Sequence, residues 1–143
     1  MIPNLQHKTI LRVVSKILIP FILLFALYVQ WHGDFGPGGG FQAGVIFASG
    51  FILYTLIFGV TRVRKVIPPW VTRLTLVLGV LIYSGVGVAT MLMGGNFLDY
   101  NVLSENAIHG QHIGIILVEF GVGVTVFSAM VTIFITFAGQ NRN

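Results

Sequence analysis

The sequence predicts an all-α integral membrane protein, a bundle of four transmembrane helices with both the N- and C-termini cytoplasmic. Three observations predict it. Apolar residues make up 55% of the 143 residues and charged residues only 8%, where a soluble chain carries roughly 25% charged. Four stretches are apolar enough to cross a hydrocarbon core of roughly 30 Å, which takes about 20 residues of helix. The Lys and Arg residues all cluster at connections that four spans would place on one side of a membrane.

The chain therefore reads as one domain over 1–143, with spans at about 10–31, 39–60, 70–93 and 109–138. Lys8, Arg12 and Lys16 precede the apolar run 17–29 of the first span. That layout resembles a signal peptide, but no A-x-A-like cleavage site follows and three more spans do, so the segment is expected to be a retained helix. Pro20 lies inside this span, where it removes a backbone donor and predicts a kink.

The second span opens on the string Gly33-Asp34-Phe35-Gly36-Pro37-Gly38-Gly39-Gly40. Its glycines permit positive φ, and Pro37 fixes a bend, so a tight re-entry turn that docks on a neighbour is expected. Asp34 either caps the following helix or attracts cations at the outer face. The string is no phosphate cradle, since it lacks a G-K-[ST] ending and a preceding strand. Beyond it, Gly40, Gly44 and Ala48 recur every fourth residue and form a stripe that lets another helix approach closely. Gly85 and Ala89 repeat this on the third span, and Gly110 and Gly114 on the fourth.

Arg62, Arg64 and Lys65 precede Pro68 and Pro69, and Arg73 opens the third span. With Lys8, Arg12, Lys16 and Arg142 they complete the set of 8 Lys and Arg. The other two connections, 32–38 and 94–108, hold Asp34, Asp99 and Glu105 and no base. The positive-inside rule then puts both termini in the cytoplasm of a cell whose plasma (inner) membrane the chain crosses.

The fourth span carries Glu119, about 10 residues from its start and so about 15 Å deep, near the bilayer centre. Insertion scales put the cost of such an acid at roughly 2.5–3.5 kcal/mol. It must be protonated, paired, or turned to a wet cavity or another protein. It is a candidate proton carrier or subunit contact, or else a carboxyl bonded to a helix backbone for packing. His112 lies seven residues earlier, on nearly the same face, and marks either the entrance to an ion path or an interfacial anchor. His109 and His112 have no further ligands beside them, so no metal is expected.

The absence of cysteine excludes disulfides, thiolate chemistry and Cys-ligated metals. The chain has no cofactor motif and no nucleophile–base pair. An enzyme acting on a soluble substrate is not expected, and neither is nucleic-acid binding, because the basic residues sit at span ends.

From Gly36 to Gln42, the string Gly-Pro-Gly-Gly-Gly-Phe-Gln resembles the B-type subunit of the Mrp (Mnh) multisubunit Na⁺/H⁺ antiporters. The likeness covers the length, the four spans, His32 and Asp34 before the glycines, and the Gly110–Glu119–Gly123 stretch. The resemblance implies a small, non-enzymatic membrane subunit of a complex that couples H⁺ entry to Na⁺ expulsion. Its implied partners are the large antiporter-like A-type and D-type subunits and the small C-, E-, F- and G-type subunits. It would contribute to assembly and to the ion path. The alternative is a non-conducting scaffold in a related energy-converting complex such as a membrane-bound hydrogenase. A self-contained homo-oligomeric transporter is a third reading.

Overall fold

In the computed structural model, the described residues are 9–33 and 36–140, and they contain helices and turns but no strand. The helices are α1 (Thr9–His32), α2 (Gly40–Phe58), α3 (Val60–Val66), α4 (Pro69–Leu92) and α5 (Ala107–Gln140), with a 3-10 turn at Tyr100–Leu103 before α5. Four of them, α1, α2, α4 and α5, are long and apolar enough to cross a membrane. Helix α1 stays helical through Pro20.

The second span ends at Phe58, two residues earlier than the apolar run suggests. Gly59 adopts φ 91°, ψ 154°, a conformation that side chains rarely tolerate, and so breaks the helix. The break frees the basic run to form α3, which buries Val63 and exposes Arg62, Arg64 and Lys65. Pro69 then starts α4 at a position where its missing N–H costs nothing.

The four spans form an open row rather than a closed ring. Helix α1 packs on α2, α2 on α5, and α5 on α4, while α1 meets α5 only lightly. Small residues set each seam. Gly44 lies under α5, where a Cβ would come 2.6 Å from the Gly123 carbonyl. Gly50 faces Ile22 and Leu23 of α1, and Gly79 lies against Gly121 and Thr125. Ala48, Val63, Val131 and Ile135 form the buried centre, flanked by Phe51, Tyr54, Val60 and Phe127. Phe127 meets Phe47 and Phe51 edge-on at 5.2 and 5.3 Å, a favourable quadrupole geometry.

Large apolar side chains remain exposed along α1 and α4, as lipid or a neighbouring subunit requires. Trp31 and Trp70 are exposed near opposite ends of the row, where amphipathic rings suit the headgroup boundary.

The α4–α5 seam carries one hydroxyl pair, Thr75 Oγ1 to Ser128 Oγ at 2.7 Å. Ser128 also reaches the Val124 carbonyl. Thr75→Val removes the interhelical bond and leaves Ser128 satisfied, so the expected loss is about 0.6 kcal/mol and below about 1.7. Unfolding in detergent checks this. The Gly85 stripe differs from expectation: Gly85 points into open space, with nothing within 4 Å of a Cβ. Gly87, two residues on, packs against Phe97 instead. Gly85→Ala is therefore expected to be neutral or to stabilise by up to about 1 kcal/mol through helix propensity, read in the same unfolding assay.

Candidate functional site

Residues 36–39, just before α2, fold back onto the last turn of α1. Gly36 N–H donates to the His32 carbonyl at 3.1 Å, and Gly39 N–H to the Val29 carbonyl at 3.3 Å. His32 stacks on Tyr28 with ring centroids 5.3 Å apart. Gly39 then takes φ 116°, ψ 177°, a region open essentially only to glycine, and α2 begins.

This turn seats the Glu119 carboxyl group. A Cβ on Gly33 would lie 2.5 Å from Glu119 Oε2, and one on Gly39 would lie 2.9 Å from Oε1. One on Gly40 would meet the Glu119 backbone oxygen. The missing side chains of three glycines thus make the space that the Glu119 side chain and its backbone fill. The seat adjoins the N-terminus of α2, where the helix dipole favours a negative group by typically about 0.3–1 kcal/mol. Gln42 Oε1 approaches the same point, 3.7 Å from a Cβ on Gly39. Helix α2 provides no side-chain cap of its own at Gly39.

Helix α5 has 34 residues, about 51 Å at 1.5 Å per residue, far longer than the hydrocarbon core. Glu119 is level with the first residue of α2 and, through Gly121 against Gly79, Ile82 and Tyr83, close to the middle of α4. From there α2 runs 19 residues, about 28 Å, to its end beside Arg12 and Lys16. The carboxyl group accordingly lies toward the acidic end of the row.

The first three turns of α5 stand beyond the α1–α2 turn. They carry His109, exposed, and His112, half-buried. His112 lies about 10 Å along the axis from Glu119. Gly110 and Gly114, expected to receive another span, instead receive Tyr100 of the α4–α5 connection. Burial raises the Tyr100 phenol above its ordinary value, and the neighbouring Tyr83 adds to the shift. Leu98 N–H donates to Thr90 Oγ1 at 3.0 Å and Gln111 Nε2 to Asn101 Oδ1 at 3.0 Å, pinning that connection down. Pro37 and Gly38 lie in the turn, with Gly38 under the Val29 carbonyl. Gly40, Gly44 and Ala48 lie along the α2–α5 seam. Asp34 lies outside the described residues.

Below the turn, α1, α2 and α5 enclose a cleft of about 160 Å³. Ala26, Gly44, Phe47, Phe120 and Phe127 line it, with Gln30 as its polar side chain. No other Asp or Glu occurs within the spans. Among the described residues no three His, Cys, Asp or Glu side chains gather to hold a metal. The arrangement can hold one carboxyl at a backbone-lined turn, and among the described residues no second acid lies inward of it to relay an ion onward.

Sequence reasoning found Glu119 and the glycines separately and missed that they meet. It also missed Gly33 as part of the seat, Gln42 beside it, Gln30 in the cleft, and Tyr100.

Residues 10–132 match the family model described as a domain related to the MnhB subunit of Na⁺/H⁺ antiporter. The chain is 34% identical over 137 residues to the Staphylococcus aureus (strain Newman) protein named "Putative antiporter subunit mnhB2", covering 94% of this chain and 96% of that one. A protein of the same name from Staphylococcus haemolyticus (strain JCSC1435) is 35% identical over 140 residues, with the same coverage. With four apolar spans and a match over most of its length, the chain is a multi-pass membrane protein of the MnhB family of Na⁺/H⁺ antiporter subunits.

Proposed function

We propose that this chain is a small plasma-membrane subunit of a multisubunit monovalent cation:proton antiporter, with both termini cytoplasmic, and that Glu119 forms part of the complex's ion path. The observation that carries the proposal is the seating of the Glu119 carboxyl group on Gly33 and Gly39 at the start of α2. Three glycines without side chains and a glycine-only backbone conformation hold one acid there. Such an acid in a membrane subunit suits a site that takes up and releases a proton or binds a monovalent cation.

The cleft inward of Glu119 is nearly all apolar. An ion therefore needs polar groups from elsewhere, which favours a path completed by partners. The large A-type and D-type subunits and the small C-, E-, F- and G-type subunits are the partners proposed. His112 and Asp34 are proposed to line the outer approach. The open row of spans also suits a scaffold, since both its faces remain available to other subunits.

Reconstitution tests the proposal. Vesicles with the complete complex should exchange Na⁺ for H⁺, vesicles with the complex lacking this chain should not, and vesicles with this chain alone should carry no flux. Flux through the chain alone would overturn the subunit reading.

A further inference from the structure

We infer that Arg12 and Lys16 at the basic end of the row form a binding site for the phosphate headgroup of an anionic phospholipid. Both cations lie over the ring of Phe58, the last residue of α2, with Arg12 Cζ 5.7 Å and Lys16 Nζ 5.9 Å from its centroid. Phe58 is buried, so the ring is a fixed platform that brings the two side chains of α1 together. Two like charges one helical turn apart repel, and converging on one ring brings them closer still.

No carboxylate side chain of this chain relieves that repulsion among the described residues. Asp99 lies at the 3-10 turn, Glu105 lies just before α5, and Glu119 is at the α1–α2 turn, all toward the opposite end. Arg64 of α3 reaches toward Gly139 at the end of α5. Among the described residues this surface thus has no counter-charge, and an anion from outside the chain can supply one.

Its surroundings favour lipid as the source. Thr9, Arg12, Val13 and Lys16 line a recess of about 140 Å³ along the first turns of α1. Val13 and Ile17, 51% and 58% exposed, continue the same helix into its apolar stretch, where an acyl chain can lie. The headgroup phosphate would meet Arg12, Lys16 and the Thr9 hydroxyl, with its chains running down α1. Basic recesses at the cytoplasmic ends of spans suit anionic headgroups for this reason.

Native mass spectrometry of the purified complete complex, titrated with phosphatidylglycerol or phosphatidylcholine, tests the inference. The wild-type complex should hold a phosphatidylglycerol that phosphatidylcholine does not replace. Arg12→Gln with Lys16→Gln should weaken it by roughly 30-fold, the loss of two basic contacts. The swap Arg12→Lys with Lys16→Arg keeps both charges and should retain it. Should the neutral variant fail to assemble, the lipid selectivity of the wild type and the swap decide alone. Equal retention of both lipids by the wild type would overturn the site. So would displacement of the lipid by inorganic phosphate, or unchanged lipid binding by the neutral variant. Loss of another subunit from that variant, with lipid binding unchanged, would assign the cations to an acidic protein partner instead.

Discussion

Glu119→Gln is expected to leave the complex assembled while Na⁺/H⁺ antiport falls by about tenfold or more, equal to about 1.4 kcal/mol or more in the rate-limiting barrier. Glutamine matches glutamate in volume, so it can occupy the space that Gly33 and Gly39 leave open without moving the turn. It can neither carry a titrating proton nor present a negative charge to a cation. Antiport in everted vesicles, measured beside the amount of each subunit recovered, separates the two effects. Normal antiport with Gln at this position would assign the chain to scaffolding. Glu119→Asp pulls the carboxyl back by one methylene from the glycine seat, and an intermediate rate is expected.

Gly40→Val is expected to act the opposite way, by removing the chain from the complex. A Cβ at this position meets the backbone oxygen of Glu119, which cannot swing aside as a side chain can. Helices α2 and α5 must then separate at the top of their seam. Overpacking of this kind costs typically about 1–3 kcal/mol for a few added atoms, and the branched valine lies at or above the upper end. The seam also holds the Gly44 contact and the Ala48 cluster, so the shift propagates along it. Gly39→Ala adds a different penalty of about 1–3 kcal/mol, because φ 116° is closed to alanine. The amount of this chain that co-purifies with its partners should fall sharply for Gly40→Val and Gly39→Ala, and stay unchanged for Gly85→Ala. Wild-type recovery of Gly40→Val would contradict the close α2–α5 seam.

Much of this architecture was legible in the sequence because lipid imposes a simple requirement. Backbone groups must be satisfied within the segment, so apolar length alone marks a span. The Gly40, Gly44, Ala48 stripe was legible for a similar reason, since small residues at every fourth position share one helix face. The same rule misled at Gly85, because a four-residue spacing does not reveal which face meets a neighbour. It misled again at Gly110 and Gly114, where the residue received is Tyr100 from a loop. Glu119 was legible as a costly acid. Its seat was not, because the contact joins residues some eighty positions apart, and helical periodicity is a local signal.

The proposed path requires the Glu119 turn to open toward the outside and the Arg12, Lys16 and α3 end to face the cytoplasm. The chain contains no cysteine, so single cysteines placed at Asn106 and at Lys65, both exposed, report the orientation without background from the chain itself. A membrane-impermeant maleimide applied to intact cells should modify Asn106→Cys at once and Lys65→Cys only after the cells are opened. Labelling of Lys65→Cys from outside, with Asn106→Cys protected, would invert the row and contradict the account.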